Sequence, residues 1–515
     1  MTTASLWTPR LRLIPTVLLL LLALAVLTGV ARERGAEYDE GYTVFLASGT
    51  PRPDWPAVPF RAGDVRGAFD GSSGALRIAG NLRATDVHPP LYFWAVAGWR
   101  ALSGPALFRL RLFSVLLALA SLAVVGGIAS RAAIPPLPAM LITLGCYGFS
   151  YTAAVARGFA FADLLSLAGV WLLLDAERRA RLLPAIAAGL LLGLASFANY
   201  LAVFVGVAAL SWLLARRWRT PPLWLGAGVG FAAVLPADLF FFLAQRDSRI
   251  GQFPPFRLLP ALARLGQYAA GNVFGGLPLY VEGAGRLALR AALVLLLAAL
   301  TVLIAWRWKR FGRPGARALL AMAALAPPVG LLLLGLTFDT TPIELRYLAY
   351  TTPFFALLLA GALATLPPPR GAALFVLILA VQAAALVGLA RMPQTMQPEA
   401  ATVRTAAALA GRDGLVLVPR GDDGVGVVGA VIQSAPDWLR LLVVPRAQPS
   451  DAIRTRATGA SVVVLALLGV DPDSRATLPH MRAAFAERPC WHPIAARADI
   501  IAYARDRACA VRAAR

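Results

Sequence analysis

The chain has 515 residues, 58% of them hydrophobic and only 15% charged, with a mean hydropathy of +0.67. Soluble domains run near about 45–50% apolar and about 25% charged. The composition therefore excludes a disordered chain, a collagen-like chain and a disulfide-stapled mini-protein, and argues against an ordinary cytosolic enzyme. A net charge of +22 would point to nucleic acid in a soluble protein. Here the basic residues that stand out sit in short loops between apolar runs: Arg178, Arg179 and Arg181; Arg216, Arg217 and Arg219; Arg307, Lys309, Arg310 and Arg313. That is the positive-inside pattern of a multi-pass membrane protein, and no nucleic-acid partner is expected.

In chain order, Arg10 and Arg12 precede an apolar run from Leu13 to Val30. It is longer than a signal-peptide core, which predicts an uncleaved first membrane helix with its N-terminus in the cytoplasm. The polar stretch 31–89 carries seven arginines against eight acids. This balance suits the outer side, with short interfacial helices such as 40–47. Further apolar segments follow at 90–103, 108–129, 134–153, 159–175, 183–198, 200–215, 221–243, 286–306, 318–337, 346–366 and 372–390. For the three basic clusters to lie inside, one segment between 90 and 175 must be re-entrant or half-length, 90–103 or 134–153. The expected fold is thus a polytopic α-helical membrane protein of about 11–12 membrane helices over residues 1–395. Loops 31–89, 245–285 and 338–345 lie outside.

The tail, 396–515, reads as a water-soluble unit exported to the periplasmic or extracellular side. Glu399–Ala410 is an Ala-rich helix. The runs Leu415–Val418, Leu439–Val444, Val462–Leu468 and Ile500–Tyr503 are short and mostly β-branched or aliphatic. With a helical stretch over 475–487, they predict a small α/β domain. Gly421–Gly429 is glycine-rich without the spacing of a phosphate loop. Of the three cysteines, Cys146 reads as a core residue. Cys490 and Cys509 would be a disulfide in an oxidising compartment and two thiols otherwise.

Four places carry candidate chemistry. Tyr38-Asp39-Glu40 sets two acids just after the first membrane helix, suited to a general base or to a helix cap. Asp86-Val87-His88-Pro89-Pro90-Leu91-Tyr92 starts the second apolar segment, where the prolines fix a helix start. Its His88 could bond a phosphate or a sugar hydroxyl. Arg346, in Glu344-Leu345-Arg346-Tyr347, sits at a helix end and suits a grip on phosphate or a snorkelling role. Arg157 lies near Asp163 in an apolar region, where a charge is costly and reads either as functional or as half of an ion pair.

The acid pair after the first helix, HPPLY at the second and RY-x5-P near the end, in this order, resemble the motifs of the GT-C superfamily of membrane glycosyltransferases. The similarity is to the group of protein O-mannosyltransferases and lipid A aminoarabinose transferases, glycosyltransferase family 39. HPPLY at 88–92 is the most specific motif. The helix start Phe108–Ser114 (FRLRLFS), the interruption Phe197–Tyr200 (FANY) and the RY-x5-P of 346–353 are also similar. The resemblance covers about residues 10–395.

The resemblance implies inverting transfer of a sugar from a polyprenyl-phosphate donor to an acceptor hydroxyl on a lipid, glycan or protein, at the outer face of the cytoplasmic membrane. It implies Asp39 as catalytic base with Glu40 assisting. It implies Arg346, Arg157 and His88 at the donor phosphate, and Tyr92, Tyr347, Asn199 and Tyr200 as substrate-binding residues. No cofactor is required, and no metal site is indicated. The main alternative is a transporter or flippase of a lipid-linked glycan, which would usually show two matching halves. Others are a polymerase or ligase using a pyrophosphate-linked donor, and a non-catalytic assembly protein on the same scaffold.

Overall fold

The computed structural model describes residues 7–8, 12–246, 253–275, 283–391, 399–446, 448–486 and 488–506. The chain forms two compact units. The first comprises Met1–Arg32, Ala79–Val96 and Leu110–Arg391. The second comprises Glu33–Ile78, Ala97–Arg109 and Met392–Arg515.

The first unit is helical, and its helices are built for lipid. In Leu13–Glu33 the residues Thr16, Leu19, Ala23, Leu27 and Val30 recur every three or four positions and are buried, while Leu13, Ile14, Leu18, Leu21 and Leu22 stay exposed. One face packs on protein, and the other is apolar surface that only hydrocarbon satisfies. At about 1.5 Å per residue, its 21 residues reach across a core about 30 Å thick. Among the described residues seven helices are long and apolar enough to cross a membrane. They are Leu13–Glu33, Leu107–Ala132, Phe159–Arg179, Tyr200–Arg217, Ala284–Trp306, Pro314–Phe338 and Pro368–Arg391. The pair Pro221–Ala232 and Leu235–Gln245, bent by 41°, makes an eighth if it is one span. The chain is a multi-pass α-helical membrane protein.

The remaining apolar runs fold as shorter or broken helices, so fewer full-length spans are present than the eleven or twelve runs would give. One segment between 90 and 175 is expected to fall short, 90–103 or 134–153, and both do. Residues 90–103 form a helix of 13 residues, Leu91–Ser103. The run 134–153 breaks at Cys146, whose extended backbone (φ −60°, ψ 120°) separates Pro136–Gly145 from Tyr147–Ala153. The break is filled from the last helix: the buried Gln382 donates to the carbonyls of Val273 at 3.0 Å and Ile142 at 3.3 Å. Carbonyls released inside a membrane domain need such a partner. Cys146 is buried and reduced.

The second unit holds a six-stranded sheet. Its strands are β1 (Phe60–Arg61), β2 (Leu415–Pro419), β3 (Arg440–Val444), β4 (Val462–Ala466), β5 (Trp491–Ala496) and β6 (Ile500–Arg505), in the order β1-β3-β2-β4-β6-β5. β2 is central and parallel to β3 and β4, with Val416 opposite Leu441 and Val464. All of β2 is buried, as a parallel strand covered on both faces requires. The four apolar runs of the tail all become strands. Glu399–Ala410 is the helix its alanines predict, and the stretch expected at 475–487 is the helix Pro472–Phe485, which starts three residues earlier, capped by Asp471, and ends two residues sooner. β1 comes from the first polar loop and pairs antiparallel with β3, Phe60 opposite Leu441. The expected 40–47 helix spans Tyr38–Ser48 and is buried along most of its length. Cys509 lies outside the described residues.

Candidate active site

In the first unit, Asp86 and His88 lie in the turn between the helices Ala75–Thr85 and Leu91–Ser103. The consecutive Pro89 and Pro90 hold this turn open and fix the next helix start. Arg157 lies in the turn between Tyr147–Ala153 and Phe159–Arg179. The two turns meet. His88 Nδ1 is 2.9 Å from Asp86 Oδ1, and Arg157 Nη2 is 3.2 Å from His88 Nδ1 and 3.4 Å from Nε2. Arg157 Nη1 stands 4.0 Å from Asp86 Oδ2. The Arg157 guanidinium carbon is also 5.8 Å from the centre of the Phe93 ring, whose edge or face meets His88 at 6.4 Å.

The electrostatics of this cluster are decided by competition. Burial alone would push the Asp86 carboxyl up, but His88, Arg157 and the Val87 N–H outweigh it and hold the carboxyl well below the usual carboxylate range. Asp86 therefore remains an anion. It orients the His88 ring and balances a guanidinium that is itself buried. No ion pair joins Arg157 to Asp163 among the described residues. The intrahelical pair offered as the plain reading of Arg157 is replaced by one formed across 69 and 71 positions of sequence.

The close approach of the turns depends on Gly158. A Cβ there would stand 2.8 Å from the Ala198 carbonyl oxygen and 3.3 Å from Cβ and Cγ of Tyr92. Tyr92 is buried and packs edge-on to Phe93. Tyr200 donates its hydroxyl to Gln245 Oε1 at 2.8 Å. Gln245 Nε2 in turn donates to the carbonyls of Leu82 at 2.9 Å and His88 at 3.1 Å. The structure thus brings together His88, Arg157, Tyr92 and Tyr200. Asn199 does something plainer: its Oδ1 caps the short 3-10 turn by accepting the Leu201 N–H at 3.2 Å.

Arg346 and Tyr347 lie in the 3-10 helix Leu345–Thr351. Arg346 Nη2 is 2.7 Å from Glu344 Oε2, and its guanidinium lies 5.5 Å from the Tyr347 ring centre. Tyr350 of the same helix meets the ring of Phe159, two residues past Arg157, at 6.2 Å. The segments bearing the two arginines are therefore neighbours. Asn272 fixes this 3-10 helix by donating to the Leu348 carbonyl. Gln245 and Asn272 were invisible in the sequence. Each is an amide in a largely apolar helix, with no spacing that marks it.

Asp39 and Glu40 belong to the second unit. Glu40 closes a capping box: its Oε2 accepts the Glu37 N–H at 3.1 Å while the Glu37 side chain takes the backbone N–H of Glu40. Glu37 is also ion-paired with Arg34. Asp39, next along the helix surface, is half-buried. Glu40 accordingly has a local structural task in this cap. Among the described residues no group of three His, Cys, Asp or Glu is placed to hold a metal ion.

Residues 87–240 match the family model described as dolichyl-phosphate-mannose-protein mannosyltransferase. This stretch contains His88, Tyr92, Arg157, Asn199 and Tyr200. No curated protein matches this sequence. Among solved structures, ArnT from Cupriavidus metallidurans bound to undecaprenyl phosphate is 14% identical, with a TM-score of 0.49 over 95% of this chain and 98% of that one. The arabinosyltransferase EmbB from Mycobacterium smegmatis is 16% identical, with a TM-score of 0.42 over 70% of this chain and 31% of that one. The oligosaccharyltransferase AglB from Archaeoglobus fulgidus is 11% identical, with a TM-score of 0.42 over 88% and 69%. The resemblance carried by the motifs therefore stands: over residues 87–240 this chain is similar to the dolichyl-phosphate-mannose-protein mannosyltransferases.

Proposed function

We propose that the protein is an inverting glycosyltransferase that moves a hexosyl or pentosyl group from a polyprenyl-phosphate donor to an acceptor hydroxyl at the outer face of the cytoplasmic membrane. In this reading the N-terminus is cytoplasmic and the α/β domain is exported. The acceptor is a lipid, a glycan or a protein side chain. The observation that carries the reading is the Asp86–His88–Arg157 cluster: a buried guanidinium, oriented by a histidine and balanced by a carboxylate, with His88 and Arg157 inside the segment that matches a family of lipid-phosphate-dependent transferases by description and Asp86 one residue before it.

The chemistry divides between a base and cations. Asp39 takes the proton of the acceptor hydroxyl as its oxygen attacks the anomeric carbon. The new C–O bond forms as the bond from that carbon to the phosphate oxygen breaks. Attack from the face opposite the phosphate inverts the centre. The polyprenyl phosphate leaves with added negative charge, which Arg157 and Arg346 offset in surroundings of low dielectric. His88 orients Arg157, and Tyr92, Tyr347 and Tyr200 shape the sugar site. Asn199, a backbone cap, supports the Tyr200 turn. The mechanism requires no metal.

The test is Asp39→Asn in membrane vesicles that contain the native lipid pool. Consumption of the polyprenyl-phosphate sugar without an ion gradient is expected for the parent and absent in the variant, with both proteins inserted at equal levels. Full activity in the variant removes the base assignment. Strict dependence on a gradient favours a transporter instead.

A further inference from the structure

The α/β domain of the tail has no assigned task, and its glycine-rich stretch 421–429 matches no phosphate loop. Both are accounted for by what packs on them. The helix Tyr38–Ser48 lies along the helix Gly426–Ser434 of the tail, nearly 400 residues later. Tyr38, Gly41, Tyr42 and Phe45 share one face of the first helix by their three- and four-residue spacing. Three of them meet the tail through contacts that leave no slack.

At Gly41 a Cβ would stand 3.1 Å from the Val425 carbonyl oxygen and 3.2 Å from that of Gly426. At Gly426 a Cβ would run into the ring of Tyr38. At Gly429 it would be 3.5 Å from the Gly41 Cα. Glycine on both partners lets the two backbones touch. Tyr42 then donates its hydroxyl to Asp423 Oδ2 at 2.8 Å. Burial first, and the neighbouring Tyr38 and Asp423, raise the Tyr42 phenol far above its ordinary range, so it remains a donor at any working pH.

Asp423 is the hub of the contact. It is buried. Its Oδ1 accepts the Val425 N–H at 2.9 Å, and its Oδ2 lies 3.2 Å from Arg52 Nη1 as well as on Tyr42. The turn that presents it needs left-handed backbone at Gly421 (φ 73°) and Gly424 (φ 75°). Trp55 Nε1 donates to the Gly424 carbonyl at 2.7 Å, and the Ala36 N–H bonds Ser434 Oγ at 3.0 Å. Residues on both sides of the helix are thus fastened to the same turn and helix of the tail.

We propose that the tail domain is the holder of the acid-bearing helix, with Asp423 and Gly426 as positioning residues that set the location of Asp39. This rests on the reading of Asp39 as the base. Asp39 follows Tyr38 on the same helix, outside the face formed by Tyr38, Gly41, Tyr42 and Phe45, so fixing that face sets where the carboxylate stands. The tail then serves the acid-bearing helix of its own unit rather than standing as an appended module.

The test uses the full chain in lipid nanodiscs and the polyprenyl-phosphate sugar extracted from the producing cell's own membranes. Four variants are compared with Asp39→Asn: Asp423→Ala, Asp423→Asn, Gly426→Ala and Tyr42→Phe. Expected for Asp423→Ala and Gly426→Ala is at least tenfold faster amide exchange over residues 38–46, with exchange in the strands β2, β3 and β4 unchanged. Turnover should fall about tenfold to a hundredfold at an unchanged KM for the lipid-linked sugar. Tyr42→Phe should lie between these and the parent, and Asp423→Asn, which keeps an acceptor for Tyr42, should recover part of the loss. Unaltered exchange over 38–46 in both Asp423→Ala and Gly426→Ala overturns the proposal. So does full turnover with the helix loosened, provided that Asp39→Asn is inactive. Should Asp39→Asn be active, the base reading fails by itself, and the exchange data still decide whether the tail holds the helix.

Discussion

The two segments that carry candidate chemistry are held in opposite ways. In the first unit, Asp86, His88 and Arg157 are fixed by their own charged and polar side chains, each within hydrogen-bonding or ion-pair reach of the next. In the second, the helix with Asp39 rests on close contacts at glycines, Gly41 against carbonyls and Gly426 against the Tyr38 ring, with the bond from Tyr42 to Asp423 added. A site built from reactive side chains can be read as a motif. A site built on backbone contact cannot, because the residues that make it carry no chemistry of their own.

This difference explains what the sequence disclosed. HPPLY was legible because prolines beside a histidine mark a helix start and a polar group at once. Arg157 was legible because a charge in an apolar run is costly. Its partner was not, since Asp163 is six residues away and His88 is 69, and only the fold decides between them. Four strands of the tail were visible as short apolar runs, and β5 (Trp491–Ala496), which opens Trp-His-Pro, was not. β1 was not, because Phe60–Arg61 is two residues long and becomes a strand only by pairing with β3. The grouping of Glu33–Ile78 with the tail had no local signal at all. Gly426 and Gly429 read as a failed phosphate loop because their use, admitting another helix, lies outside the window in which a motif is sought.

The largest expected effect comes from breaking the side-chain-built region. Arg157→Ala removes the cation that His88 and Asp86 orient and leaves Asp86 as a buried anion. Transfer should drop by about 10²–10³, with a weaker apparent affinity for the lipid-linked sugar. Arg157→Lys should not restore it, since an ammonium on a flexible stem cannot reproduce the planar fork that reaches both His88 and Asp86. Rates measured for the two variants in nanodiscs check this. A lysine variant with near-parent turnover would show that charge alone suffices.

A smaller effect tests whether the first unit also depends on a backbone contact. Gly158→Ala places a methyl group 2.8 Å from the Ala198 carbonyl oxygen. Overpacking of this kind typically costs about 1–3 kcal/mol, and the turn bearing Arg157 must shift to relieve it. Lower thermal stability in detergent is expected, together with a partial loss of transfer. Loss of stability at full activity would mean that the turn yields without moving Arg157, so that the side-chain network alone sets the site.

The smallest effect concerns pH and is confined to the second unit. Asp422 adjoins the Asp423 hub. Burial first, and then the charge of Asp471, push its carboxyl up to about 6. An unfolded aspartate titrates near about 3.9, so between these values the folded chain holds a proton that the unfolded chain releases. The stabilising contribution of that proton is complete below about 3.9 and is lost as pH rises through about 6. Above that, Asp422 and Asp471 repel each other beside the turn that presents Asp423. Asp422→Asn carries no such proton. Its stability relative to the parent should therefore increase between pH 4 and pH 7 and level off beyond, an effect kept small by the solvent exposure of Asp422. Amide exchange over residues 415–425, followed from pH 5 to pH 7.5 and corrected for the intrinsic rate, reads this difference directly. If parent and variant show the same pH dependence, the Asp422–Asp471 contact does not load the turn, and Asp423 holds the helix independently of its acidic neighbours.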